Sequence, residues 1–241
     1  MKLIPRRIRH YTHIKEHNWL NHILIIDFLK EAARTLSGGV LADIGCGIKP
    51  YETIFSPYTT KHIGIDRQDS PHGGDAVDII GDAYDTNLED NSCDAVLLTE
   101  VLEHLEEPKT ALVEISRILK PGGVLIGTVP FFWHLHEEPR DFYRYSEYGL
   151  AYLLKEGGFD DLDIRPLSGF IVTFSQLSIY YFRRLQRFPV LRFFNRIINW
   201  IWQYAAWMLN RVDKSTKFTN LYGFTAVNMK DHQDKDAHAV S

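Results

Sequence analysis

Apolar positions change their period along this chain, and the changes mark out alternating helices and strands. From Ile14 to Leu36, Leu20, Leu24 and Phe28 recur on one face, with Ile25, Leu29, Ala32 and Leu36 beside them. That spacing predicts an amphipathic helix, and Gly38-Gly39 supplies its stop. Short apolar runs follow at 40–43 (VLAD), 62–66 (HIGID), 77–82 (VDIIGD), 94–99 (DAVLLT) and 123–130 (GVLIGTVP), each read as a strand. Between the last two, a helix has Pro108 in its first turn, Leu112, Ile115, Ile118 and Leu119 along one face, and Pro121-Gly122-Gly123 at its end. Another runs from Ser146 as N-cap to Gly157-Gly158. DLDIRPL (161–167) and YGFTAVNM (222–229) are two further strands. Nearly continuous apolar strands alternating with helices predict a parallel sheet covered on both faces, the doubly wound α/β class. Ligands of such sheets gather beyond the carboxyl ends of the strands, here after residues 43, 66, 82, 99 and 130.

Composition narrows the picture only a little. A chain of 241 residues, 45% hydrophobic and 24% charged, suits one large domain with an insert. A net charge of −4 gives no general reason to expect nucleic acid. Cys46 and Cys93 make neither a disulfide framework nor a zinc set, which suits a reducing cytoplasm. The first twenty residues lack an apolar segment of signal-peptide length, and no run of 18 apolar residues predicts a spanning helix.

The strand tips carry chemistry. Gly45 and Gly47 follow the first strand, where a tight turn and close approach of a ligand to the backbone need small residues. Asp66 ends the second strand 23 residues after Asp43, the distance at which an acid takes ribose hydroxyls. A dinucleotide fingerprint would need Gly or Ala where Pro50 stands. Asp43, just ahead of the glycines, suits a cationic ligand better than a pyrophosphate. An acid before the glycines, one after strand two and Asp82-Ala83 after strand three would serve a donor with a sulfonium charge, a ribose and an adenine amine.

VLADIGCG, GIDRQ, GDAYD, DAVLLTEVLEHLEEP and ISRILKPGGVLIGTVP, in this order, resemble the motifs of class I S-adenosylmethionine-dependent methyltransferases, the type-11 group in particular. The resemblance runs from about residue 38 to 160 and resumes at the last strand. It implies a Rossmann-like seven-stranded sheet with the last strand antiparallel. It also implies that Asp43, Gly45 and Gly47 border the methionine part of S-adenosylmethionine, Asp66 the ribose, and Asp82 with Ala83 the adenine, with Glu100 lining the same pocket. Cys46 and Arg67, between and beside these positions, complete the expected donor set.

FFWHLHEEPRDFYRYS (131–146) leaves the fifth strand beside the expected position of the donor methyl. Histidine titrates near neutrality and suits the removal of a hydroxyl proton. His136 is the first candidate base, with Asp141 orienting it; Tyr143, and His104 from the LEHL turn, are the other catalytic candidates. The aromatic residues would form a lid, and Arg140 and Arg144 would hold an anionic group on the acceptor. No metal is expected: His134 and His136, two apart on an extended loop, point to opposite sides. The stretch HEEPRDFYRYS is similar to one in surface-glycan methyltransferases.

About fifty residues separate strands six and seven. From Ile164 to Val212 there is no Asp, Glu or Lys, yet seven arginines. After Pro189, Leu191, Phe194, Ile198, Ile201, Ala205 and Met208 form an apolar face, and Arg192, Arg196, Asn199, Gln203 and Asn210 a narrow polar stripe flanked by Phe193, Trp200 and Trp207. Such a helix suits a bilayer interface; packing on the protein's own core, or a homodimer contact, is the competing use. Few lysines and net acidity argue against nucleic acid.

The expected organisation is an N-terminal helical segment (1–37), a methyltransferase core (38–168 with 219–230), an amphipathic helical insert (169–218) and a disordered tail (231–241). The expected activity is S-adenosylmethionine-dependent O-methylation of a glycan or lipid-linked acceptor, in the cytoplasm at the inner face of a membrane that 176–211 contacts. Methylation of a lipophilic small molecule such as a quinone, and a donor-binding adaptor without turnover, are the alternatives.

Overall fold

The computed structural model describes residues 16–70, 75–183, 189–213 and 215–229, with the backbone alone for 189–196. The expected tail (231–241) and the basic N-terminal stretch Arg6–His10 lie outside the described residues.

The strands are β1 (Val40–Ile44), β2 (Lys61–Asp66), β3 (Ile79–Ile80), β4 (Cys93–Thr99), β5 (Leu119–Pro130), β6 (Phe159–Pro166) and β7 (Leu221–Asn228). They form one sheet in the order β3-β2-β1-β4-β5-β7-β6. β1 to β5 pair in parallel, and β7 runs antiparallel between β5 and β6. The helices are α1 (Trp19–Ala33), α2 (Glu52–Phe55), α3 (Pro108–Ile118), α4 (Glu147–Glu156), α5 (Phe170–Arg183) and α6 (Pro189–Leu209). Short 3-10 turns lie at Leu102–His104 and Thr216–Phe218.

Alternating side chains of each strand serve opposite faces, which is why the strands read as continuously apolar. Leu41, Leu97 and Ile126 pack under α1 against Ile25, Phe28 and Leu29. Their neighbours Ala42, Leu98 and Leu125 pack on the other side against Leu112 and Ile115 of α3 and Leu150 of α4. Ser146 caps α4 by accepting from the Gly149 amide.

Element ends differ from the periodicity in three places. α1 stops at Ala33, short of the glycines, where the Leu36 amide bonds to the Ala33 carbonyl in a closing turn. α3 stops at Ile118 because Leu119 already pairs with Cys93 of β4, so the strand begins before the Pro-Gly-Gly bulge. β3 keeps two residues of the six expected. Asp78, just ahead of it, turns its carboxylate onto the Gly64 amide at 2.7 Å and onto Lys49, replacing strand pairing with side-chain bonds.

The insert between β6 and β7 is a helix pair, and α6 is turned the opposite way from an ordinary surface helix. Gln203 is fully buried; its Nε2 donates to the Glu16 carbonyl (3.0 Å) and to Asn199 Oδ1 (3.2 Å). Its Oε1 accepts from the Leu20 amide (3.2 Å) and from Gln176 of α5 (3.3 Å). Leu20 sits in the first turn of α1, where amides lack helical partners, so the polar stripe of α6 completes the start of α1. Asn210 accepts from the Gly169 amide at 3.4 Å. The apolar side faces outward, with Ile197, Ile198, Ile201, Trp202, Met208 and Leu209 exposed. Packing of that face on the protein's own core, one of the readings open from sequence, is thereby excluded for these residues. Among the described residues no helix is long and apolar enough to cross a membrane.

Candidate active site

The turn after β1 is held against β2 by two amides: Gly45 and Cys46 both donate to the Ile65 carbonyl, at 2.9 and 3.1 Å. Gly45 has φ +70° and Gly47 φ +50°. At Gly45 a Cβ would lie 2.5 Å from Val101, so glycine is required both for the conformation and for the approach of the β4 turn. Asp66 Oδ2 accepts from the Gly47 amide at 2.7 Å, and its Oδ1 from the Arg67 amide at 2.8 Å. A carboxylate has about four acceptor positions, so the same group that fixes the turn keeps capacity for the two hydroxyls of a ribose.

Asp43 is 2% exposed and lies behind the turn, its Oδ2 3.0 Å from His62 Nε2. Burial raises its pKa, and the hydrogen bond and charge of His62 oppose the rise. Its charge is therefore shared with a histidine rather than presented openly to a cation. The Cys46 thiol, pushed up to about 12 chiefly by burial, is a packing group. Lys49, not anticipated from sequence, is buried and braces the turn from behind, donating to Asp78 and, at 3.2 Å, to the His62 carbonyl.

Beyond β2 and β3 a shallow cleft of about 320 Å³ is lined by Arg67, Gln68, Ile80, Gly81, Asp82 and Asp85. Asp82 Oδ1 accepts from the Tyr84 and Asp85 amides, at 2.8 and 3.0 Å, and Ala83 is buried beneath. Ile80 is 55% exposed in this cleft, an apolar platform at the height where a base would lie. Periodicity assigns it simply to a strand.

Glu100 follows β4 with φ +52° and accepts from Thr128 Oγ1 at 2.8 Å. Burial pushes its carboxyl up to about 7, against the Thr128 hydrogen bond and the charge of Arg144.

The loop after β5 is tied down on the 101–106 turn. The Phe142 and Tyr143 amides donate to the Glu103 carbonyl (2.9 and 3.2 Å), Tyr145 Oη to the Leu102 carbonyl (3.1 Å) and Tyr143 Oη to the Glu106 carbonyl (2.9 Å). Arg144 grips Asp141 through two nitrogens (2.6 and 2.7 Å) and also donates to the carbonyls of Trp133 and His134. The expectation that Arg144 holds an acceptor anion is corrected on this ground, since its donors are spent inside the loop. Asp141 falls to about 2: burial alone would raise it, but the Arg144 hydrogen bond and the His136 amide outweigh burial.

His136 Nδ1 lies 3.3 Å from Asp141 Oδ2, and its ring meets His104 edge-to-face at 4.8 Å between centroids. Burial lowers the His136 pKa, with Asp141 opposing, so the ring is neutral at neutral pH. His136, Asp141 and His104 are thus brought together, whereas the Tyr143 hydroxyl is committed to a backbone carbonyl. Glu103, absent from the sequence-based candidates, is fully buried among them; its adjacency to His104 was the only signal.

Residues 42–127 match the family model described as a methyltransferase domain. Residues 42–127 thus carry a methyltransferase domain of the type-11 group. The chain is 29% identical over 143 residues to the ubiquinone biosynthesis O-methyltransferase of Hahella chejuensis, covering 55% of this chain and 57% of that protein. It is 28% identical over 166 residues to the tRNA (carboxymethyluridine(34)-5-O)-methyltransferase of Mus musculus, covering 64% of this chain and 22% of that one. The chain therefore spans less than two thirds of these relatives' length. In fold it is similar to the solved [4+2]-cyclase SpnF, with a TM-score of 0.59, 21% identity and coverage of 85% of this chain and 80% of that one.

S-adenosylmethionine is the methyl donor that goes with a methyltransferase domain of this group, and the residues present fit it: the glycine turn, the spare acceptor capacity of Asp66 and the Ile80 cleft match its parts. Where Glu100 lines the donor pocket, as the sequence resemblance implies, its contribution depends on pH. Burial raises its folded pKa to about 7, so it is protonated and offers no charge below that, while above it a carboxylate would be available to a sulfonium. Affinity for S-adenosylmethionine is expected to rise with pH from 6 to 8, by on the order of ten-fold for one added charge pair. S-adenosylhomocysteine, lacking the sulfonium, should not follow. Calorimetry with both ligands checks this, and Glu100→Gln should flatten the donor's profile.

Proposed function

We propose that this chain methylates a hydroxyl of a lipid-carrying acceptor at a membrane surface, a lipid-linked glycan being the acceptor class favoured. The observation that supports this most is a continuous aromatic track from the outward face of the helix pair to the loop after β5. Trp202 meets Phe174 (6.4 Å between centroids), Phe174 meets Phe170 (5.8 Å), Phe170 meets Phe218 (5.7 Å) and Phe218 stacks on Phe132 (6.4 Å). Phe170, Phe174, Phe218 and Phe132 are all about half exposed. An apolar surface of this extent, in a stretch with seven arginines and without a lysine or acid between Ile164 and Val212, suits an anionic bilayer. A lipid tail lying along the track would bring its polar head toward His136.

The donor supplies an electrophilic methyl group, transferred by in-line displacement. The protein's share is alignment of the hydroxyl, exclusion of water by the loop and acceptance of one proton. His136 Nε2 is our candidate for that acceptance, with Asp141 stabilising the imidazolium from the Nδ1 side. His136→Gln is expected to lower turnover at saturating donor by about 100-fold or more, with donor affinity unchanged. Undiminished turnover would remove His136 from proton transfer. Full chain, S-adenosylmethionine and vesicles carrying a lipid-linked oligosaccharide, assayed for S-adenosylhomocysteine, test the reading as a whole. Turnover with a prenylated dihydroxybenzene instead would favour a quinone-type acceptor, the second reading, to which the Hahella relative lends support. No product with either would leave a donor-binding adaptor.

A further inference from the structure

Around Glu103 two imidazole nitrogens and a buried carboxylate converge. Glu103 is fully buried, and neither carboxylate oxygen has a hydrogen-bond partner. His104 Nε2 lies 3.7 Å from its Oε1 and His136 Nε2 3.9 Å from the same oxygen. The far nitrogen of each ring is already directed elsewhere: His104 Nδ1 meets the Arg140 carbonyl, and His136 Nδ1 faces Asp141. His136 Nδ1 also lies 3.4 Å from Arg144 Nη2; in the tautomer that bonds Asp141 through Nδ1, as His104 bonds the Arg140 carbonyl, both Nε2 lone pairs are aimed at the carboxylate. Three lone-pair atoms within 4.8 Å of one another repel unless a cation sits among them or Glu103 carries a proton. Nearby Glu100 and Asp141 add negative charge, and Arg144, the cation of this neighbourhood, is engaged by Asp141.

We infer that Glu103, His104 and His136 form a site for a divalent transition-metal ion of the zinc class, open on the side of the acceptor. Two imidazoles and one carboxylate are a donor set such ions favour, and three protein ligands leave a position for an acceptor oxygen. The partners on the two Nδ1 atoms are the outer supports that ligating histidines require: a backbone carbonyl and a carboxylate. Metal–ligand bonds near 2.1 Å put neighbouring ligand atoms roughly 3–3.5 Å apart, so side-chain movements of under about an ångström close the site. The spacing argument against a metal concerned His134 with His136; the structure instead joins His136 to the adjacent pair Glu103-His104 across the loop.

The binding inference stands apart from the methyl-transfer reading, and only the ion's use rests on it. A bound ion takes the Nε2 lone pair of His136, so that histidine no longer accepts the proton. The ion lowers the pKa of a coordinated acceptor hydroxyl, whose proton then passes to water. Proton acceptance by His136 belongs to the metal-free chain.

The test is calorimetric titration of the chelator-stripped full chain with Zn²⁺ at neutral pH, alongside Co²⁺ absorption spectra. A single tight equivalent is expected, weakened at least ten-fold by Glu103→Gln and by His104→Ala, with loss of the visible Co²⁺ bands. Circular dichroism confirms the fold of each variant, and His104, which is not fully buried, keeps the test open should the Glu103 variant misfold. Absence of micromolar binding, or binding unchanged in a folded variant, overturns the inference and leaves a proton on Glu103. Donor binding measured on the same preparation reports separately on the methyltransferase reading.

Discussion

Asp66→Ala is expected to lower affinity for S-adenosylmethionine by about 100-fold or more, with S-adenosylhomocysteine falling in parallel. Hydrogen bonds to a charged acceptor contribute about 1.5–3 kcal/mol each, and this carboxylate is read as taking two ribose hydroxyls. It also accepts from the Gly47 and Arg67 amides, at 2.7 and 2.8 Å. Removal therefore withdraws the ligand contacts and releases the turn that shapes the methionine end. Because donor and product share the ribose, the loss should be equal for both and independent of pH between 6 and 8. That pattern separates Asp66 from Glu100, whose substitution discriminates the sulfonium. Calorimetry with both ligands is decisive. Unchanged affinity for either would mean that adenosine does not lie across the tips of β1 and β2.

The second large effect concerns the outward face of α6. Ile201→Asp combined with Trp202→Asp is expected to abolish sedimentation with anionic vesicles. Both side chains are about half exposed, and neither belongs to the buried contacts through Gln203 and Ala206 that hold α6 to the protein. Stability in solution should therefore change by about 1–2 kcal/mol at most, chiefly through loss of the Trp202–Phe174 contact. In a membrane each acid costs up to about 3 kcal/mol at depth and less at the interface, enough jointly for a loss of ten-fold or more in partitioning. Neutral vesicles should bind the unmodified chain more weakly than anionic ones if the arginines contribute. Failure of the unmodified chain to bind any vesicle would point instead to a second copy of the chain on this face, visible as a dimer in sedimentation that the double variant disrupts.

Much of this protein follows from local patterns. The change from helical to strand periodicity, the glycines at 45 and 47 and the acids at 43, 66, 82 and 100 are local in sequence, and a parallel sheet places all its strand tips on one edge. The fold, and the edge of the sheet at which the candidate donor residues gather, were legible for that reason. Three features were decided by tertiary structure alone. Periodicity divides α6 into a polar stripe and an apolar face but does not say which neighbour meets which. The unpartnered first-turn amide of α1, almost two hundred residues away in sequence, draws Gln203 inward and leaves the apolar side outside. Arg144 looks like an anion clamp until Asp141 and three backbone carbonyls use its donors. Glu103 looks like an exposed turn residue beside His104, and becomes a buried carboxylate only when the loop after β5 closes over it. Spacing along the chain determines which groups share a face or a strand tip; which charges end up without water, and which donors remain free, depends on contacts between segments that no local pattern encodes.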